Sequence, residues 1–297
     1  MKKTKTFGTL LILLAGCLWG LMSIFVRKME ENGLVAMDIV TVRVWISAII
    51  LIPVMLIYNR KLLKIKPGDI WCFAGTGIIS LTLFNFCYFS NISLTSPGVA
   101  AVLLYTSPVF VMIMSAIFFK EKLGPLKIIA CFTTFAGCAL VGGLMSENSI
   151  GFSGVVLGIL SGIGYALYSI FGRVATDKGY SSLTVTVYTL IFACIGTSPF
   201  ADFGKISNAL FCNGPENLIF AVAGAVLITL IPYYVYTKGL MYIETGTAGV
   251  IATIEVVVAA VVGYFCFSET FGAEKILGIF LVITALAIMN MNFKKKN

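Results

Sequence analysis

Ser23-Ile24-Phe25-Val26-Arg27 returns 146 residues later as Ser169-Ile170-Phe171-Gly172-Arg173, each closing an apolar run with an aromatic residue four positions before the serine, Trp19 and Tyr165. A second pair follows at an offset of 148. Glu121-Lys122-Leu123-Gly124, with Lys127-Ile128 behind it, answers to Glu269-Thr270-Phe271-Gly272, with Lys275-Ile276 behind it. Two motifs repeated in the same order make one half of the chain look like a duplicate of the other. If each half crosses a bilayer five times, the copies lie in it with opposite orientation, the inverted-repeat plan of many membrane proteins.

Composition points the same way. Hydrophobic residues make up 59% of the chain and charged residues 11%, with a mean hydropathy of +1.00, whereas a soluble domain is about a quarter charged. A helical span needs about 20 apolar residues to cross roughly 30 Å of hydrocarbon. Ten such stretches can be marked, at about 7–26, 39–57, 70–89, 98–119, 126–145, 152–172, 183–200, 218–237, 247–267 and 273–291. We therefore expect an all-α integral membrane protein of ten transmembrane helices in two inverted five-helix repeats, 1–147 and 148–297, dividing near 146–151. The first apolar run leads into the charged segment 27–38 without a small-x-small cleavage site, so it reads as a retained span rather than a signal peptide.

The net charge of +8 would suggest nucleic acid as a partner in a soluble chain. Here its placement reports topology. With the N-terminus in the cytoplasm, sixteen lysines and arginines fall in inner segments, at 2–5, 60–66, 120–127, 173–178, 238 and 294–296, against four outside, Arg27, Lys28, Lys205 and Lys275. The positive-inside rule then places both termini in the cytoplasm and the protein in the cell membrane. Arg27 and its twin Arg173 fall on opposite faces, as do Lys127 and Lys275. Pro67, Pro97, Pro125, Pro199 and Pro215 stand at or beyond expected span ends, while Pro53, Pro108 and Pro232 stand within spans and predict kinks.

Six of the eight cysteines sit inside apolar stretches as small hydrophobes, leaving Cys72 and Cys212 near an edge or loop. There is no histidine and no CxxC, so metal sites and histidine chemistry are not expected. Nor is there a phosphate-binding G-x-x-x-x-G-K-[ST] loop. No cofactor is expected.

Of 34 charged side chains, only Arg43 and Glu255 cannot be assigned to loops or span ends. A charge at the bilayer centre costs roughly 3 kcal/mol or more and usually faces a cavity or a partner. Glu255 lies about 12 Å into its span. It shares a helical face with Ala248, Ala252, Ala259 and Gly263, the small residues of close helix packing. It would bind a cationic group, take up and release a coupling proton, or be tied permanently to Arg43 or backbone. Arg43, in the first two turns of span two, reaches the interface, holds a carboxylate or pairs with Glu255. Trp19, Tyr105, Tyr165 and Tyr168 are the aromatic residues expected to line a lumen, whereas Tyr88 and Tyr236 are expected in an interfacial belt.

Gly16-Cys17-Leu18-Trp19-Gly20, Arg43, the run from Ala100 to Ser107-Pro108 leading to Glu121-Lys122-Leu123-Gly124-Pro125, and Ala248-Gly249 leading to Glu255 and Glu269-Thr270-Phe271-Gly272 resemble the EamA family of the drug/metabolite transporter superfamily. The resemblance covers nearly the whole chain. It implies ten helices in inverted repeats, a central cavity and alternating access for small organic solutes, amino acids or related metabolites and drugs, with export the expected direction and uptake of a nutrient or nucleotide-like metabolite the alternative. In that family a proline commonly follows the span-nine glutamate. Here Val256 follows, so an unbroken helix is expected at that point. An intramembrane enzyme would need paired carboxylates or a nucleophile with its base within the spans, and a channel a continuous polar lining; neither pattern is present.

Overall fold

A computed structural model describes residues 2–143, 151–212, 215–270 and 272–295. Nearly all of the expected division between the halves, and Phe271 of the second motif, lie outside the described residues. Among the described residues there is no strand. Eight helical segments are long and apolar enough to cross a membrane: Thr4–Glu31, Ala36–Tyr58, Pro67–Leu94, Pro97–Phe119, Phe152–Asp177, Ser182–Phe200, Pro215–Leu240 and Thr245–Phe267. The fifth expected stretch falls on the apolar helix Pro125–Val141, whose 17 residues rise only about 26 Å. The tenth falls on Ala273–Lys295.

Several of these segments are interrupted. The first comprises α1 (Lys2–Gly20) and α2 (Met22–Glu31); α3 (Ala36–Tyr58) is continuous although Pro53 lies inside it. The third runs through α4 (Ile70–Ala74), a π-helical stretch Gly75–Thr82 and α5 (Leu83–Leu94). The fourth is split into α6 (Pro97–Leu104) and α7 (Ser107–Phe119). After α8 (Pro125–Val141) come α9 (Phe152–Asp177), α10 (Ser182–Thr197) and the short α11 (Phe203–Ser207). The segment from Pro215 comprises α12 (Pro215–Gly224), a π-helical stretch Ala225–Leu230 and α13 (Ile231–Leu240). Last come α14 (Thr245–Ala252), α15 (Ile254–Phe267) and α16 (Ala273–Lys295).

These irregularities recur 148 residues apart. The π-helical stretch at 75–82 returns at 225–230, and the break at Tyr105-Thr106 returns at Thr253. Lys120 and Ser268, the non-glycine residues with positive φ among those described, end α7 and α15 in the left-handed conformation. Behind each, a glutamate N–H bonds the carbonyl six residues back, Glu121 to Ser115 at 3.4 Å and Glu269 to Gly263 at 3.1 Å. A left-handed residue with a Cβ costs roughly 1–2 kcal/mol, so its duplication marks a shared backbone plan.

Pro108 stands in the first turn of the helix after the break, where its missing N–H costs nothing, whereas Pro232 follows the π-helical stretch inside a segment that stays helical throughout. The break before α15 corrects the expectation of an unbroken helix. Thr253 supplies it without proline: its hydroxyl takes the Val250 carbonyl at 2.6 Å, the bond that Thr106 makes to Leu103 at the same length in the first half. A carbonyl taken by a side chain three residues on no longer holds the i+4 amide, and the helix opens.

Helix ends sort into two faces. On the face that carries the amino terminus, Gly8 of α1 lies against Tyr242 and Ile243, Asp69 pairs with Lys178, and Arg173 donates to the carbonyls of Leu240 and Ile243. On the opposite face Asn32 and Asn217 bond reciprocally, Asp38 accepts from the amide of Asp202, and Arg27 pairs with Glu269. Between them α1 lies on the break of the ninth stretch. A Cβ at Gly16 would stand 2.7 Å from the Ala252 carbonyl, and one at Gly20 2.8 Å from that of Glu255. Only glycine permits that approach, and it brings Trp19, lying between the two, to the centre of the bundle.

Candidate functional site

Glu255 is the second residue of α15, just beyond the break. The partial positive charge of a helix N-terminus favours a carboxylate there. Two phenols complete its surroundings: Tyr105, at the break between α6 and α7, donates to Oε1 at 3.4 Å, and Tyr165 of α9 donates to Oε2 at 3.2 Å. The breaks of the two related stretches therefore meet, one contributing the carboxylate and the other a hydroxyl.

Trp19 stands edge-on to Tyr165 at 6.1 Å and to Tyr233 at 5.5 Å, and lies 5.3 Å from Tyr236. Phe84 closes on Tyr165 from another side at 5.4 Å. A void of about 10 Å³ lies among Trp19, Phe84, Tyr165, Tyr168, Tyr233 and Tyr236, the room of a single water molecule. Passage of a solute here requires the helices to move.

Of the residues singled out by sequence, Trp19, Tyr105, Tyr165 and Glu255 come together. Tyr168 lines the same void with its ring against Tyr233, while its hydroxyl bonds that of Thr237 at 2.7 Å rather than Glu255. Arg43 forms no ion pair with Glu255. Its guanidinium is buried, Nη1 donates to the Met22 sulfur at 3.2 Å, and Nε has no hydrogen-bond partner.

One belt expectation is corrected. Tyr236 is 1% exposed, with its hydroxyl on Ser169 at 2.7 Å, because the span continues to Leu240 and carries Tyr236 inward from its end. Tyr88 is half-buried, its ring 6.1 Å from that of Phe84. Cys72, placed near an edge by sequence, is fully buried. Tyr233 was the residue sequence reasoning missed. The signal lay in its spacing: Tyr233 and Tyr236 are three apart, as are Tyr165 and Tyr168, so each pair shares a helical face.

The sequence profile of the EamA-like transporter family matches residues 6–143 and, a second time, 152–291. The chain belongs to this family. Its relatives include a protein from Archaeoglobus fulgidus described as an uncharacterized transporter, 25% identical over 95% of this chain and 96% of the relative. Another, from Helicobacter pylori strain J99 and described in the same words, is 24% identical over 95% of this chain and 94% of its own. A solved crystal structure with 18% identity superposes with a TM-score of 0.77 over 98% of both chains, which shows the shared fold. This EamA-like protein is thus a multi-pass membrane protein of a transporter family, which suggests a non-enzyme.

Proposed function

We propose that this chain is a secondary transporter that exports amino acids or related small metabolites across the cell membrane by alternating access, with both termini cytoplasmic. Ten spans in two inverted repeats, divided near residue 147, rock about the break where Tyr105 and Glu255 meet. Backbone irregularities recurring at one offset and a family profile matching twice support the repeat, and the sixteen-to-four distribution of basic residues supports the orientation.

The observation that carries the substrate reading is a pair of charges within the spans with no ionic partner in each other: half-buried Glu255 held by two phenols, and buried Arg43 with an unsatisfied Nε. A buried charge left incompletely satisfied is costly. A zwitterionic solute offers an ammonium to one and a carboxylate to the other, with Trp19, Tyr165 and Tyr233 supplying apolar and cation–π contact. Glu255 also serves as the site of the coupling proton, taken up when the solute leaves. The test is reconstitution of the purified protein in liposomes, with labelled amino acids and an imposed pH gradient. Gradient-driven flux is expected for the wild type and facilitated exchange alone for Glu255→Gln. Full gradient-driven flux in that variant would remove the coupling role.

A further inference from the structure

The duplicated Glu-x-x-Gly motif lies at the ends of the bundle, far from Glu255, and its two copies are in different states. Glu121 is buried, its side chain 8% exposed. Its Oε1 accepts the amide of Thr245 at 2.6 Å and its Oε2 that of Gly246 at 3.1 Å, so it caps the first turn of α14, which belongs to the other half of the chain. Charge-assisted bonds to a helix N-terminus are among the stronger ones a carboxylate makes. Lys127 lies 4.0 Å from the same carboxylate and is ion-paired with Glu244. Glu269 caps no helix. It is 42% exposed and pairs with Arg27 at 3.2 Å and Lys275 at 3.3 Å.

Packing follows the same asymmetry. All eight residues of α14 are buried, α14 lies against α7, and Cβ atoms at Gly246 and Gly249 would stand 3.0 Å and 3.1 Å from Ser115 and Val111. Of the eight residues of α6, the counterpart of α14, only Val99, Ala100, Val102 and Leu104 are buried, and α15 and α6 form no comparable interface. On the amino-terminal face the half-helix is therefore docked on its partner, and on the opposite face it is not.

We propose that Glu121 and Glu269 are alternating latches, each closing one face by capping the half-helix of the other repeat and releasing it by transfer to an arginine, Arg173 or Arg27. This rests on the alternating-access reading above. Under the 148-residue offset the target of Glu269 is the start of α6, where Gly98 answers to Gly246 and Pro97 to Thr245. Arg173, the twin of Arg27, lines the same cavity of about 280 Å³ as Glu121 and Lys127, placed to receive Glu121 when that face opens. Proline has no amide, so the latch of Glu269 has one donor fewer. The resting molecule is therefore biased towards the state seen here, with Glu121 engaged.

Amide hydrogen exchange on the full-length protein in lipid nanodiscs tests this without knowledge of the substrate. Two variants act on opposite partners: Glu121→Gln weakens the acceptor, and Thr245→Pro removes the nearer donor. Proline fits there, since Glu244 before it has ψ 140°, the extended conformation a pre-proline residue adopts, and the first helical position tolerates it. Both variants are expected to speed exchange at 246–252 on the order of tenfold and to slow it at 98–104, with 182–197 unchanged. Unaltered exchange at 246–252, or an equal rise in all three segments, overturns the latch. Liposome flux separates the two readings: a wild-type protein that moves no solute while the exchange pattern shifts as expected defeats the transport reading alone.

Discussion

A carboxylate held within a span is tolerable only where hydrogen bonds replace the hydration it has lost, and half-buried Glu255 receives them from Tyr105 and Tyr165 at the start of α15. Each bond is worth about 1 kcal/mol or somewhat more. Tyr105→Phe and Tyr165→Phe are therefore each expected to change the KM for a zwitterionic solute about fivefold while leaving the melting temperature nearly unchanged. Tyr168→Phe, whose hydroxyl bonds Thr237 inside the packed core, should do the reverse, lowering Tm by a few degrees and shifting KM less than twofold. Equal KM shifts in all three would mean that the Tyr168 hydroxyl meets the solute as the other two do, and would undo the distinction drawn here. Glu255 was legible in the sequence because a lone acid in an apolar run needs a partner or a cavity, whichever role it then plays. Tyr236 and Tyr233 were not, because tyrosine serves equally in a belt, a core and a cavity, and what decides among these is how far the helix continues past it.

Elements were legible as apolar stretches and illegible as broken ones. Pro108 announced the interruption of the fourth stretch, but nothing in Ala225-Val226-Leu227-Ile228-Thr229-Leu230 announces a π-helix. Thr253 looks like any threonine in a span. Its effect depends on a choice of partner: the hydroxyl takes the Val250 carbonyl, which would otherwise accept from the amide of Ile254. Thr253→Ala frees that carbonyl, and α14 and α15 are expected to join into one continuous helix. Two measurements check it. The Ile254 amide should become protected on the order of tenfold, and flux should fall because Glu255 rotates away from Tyr105. A variant whose Ile254 amide gains protection while flux is retained would show that the break is dispensable for transport.

Across the whole molecule, repetition made the plan legible, and departures from repetition carry the function. Glu255 corresponds to Ser107, so the deep carboxylate exists in one half only. Thr245 corresponds to Pro97, so the two ends of the bundle have unequal latches. The second asymmetry can be inverted by exchange of those residues. Pro97→Thr gives the start of α6 the amide it lacks, and Thr245→Pro removes the one that Glu121 uses, so the double variant transfers a donor from one face to the other. A hydrogen bond to a charged group is worth about 1.5–3 kcal/mol, and about 1.4 kcal/mol shifts an equilibrium tenfold. Moving one such bond between competing states should therefore change their ratio on the order of a hundredfold or more, enough to make the opposite face the closed one. Exchange at 98–104 should then be the slow one and exchange at 246–252 the fast one, the mirror image of the wild type, with Pro97→Thr alone giving an intermediate. A double variant that keeps the wild-type order of protection would mean that packing around Gly246 and Gly249, rather than the carboxylate, sets which face is closed.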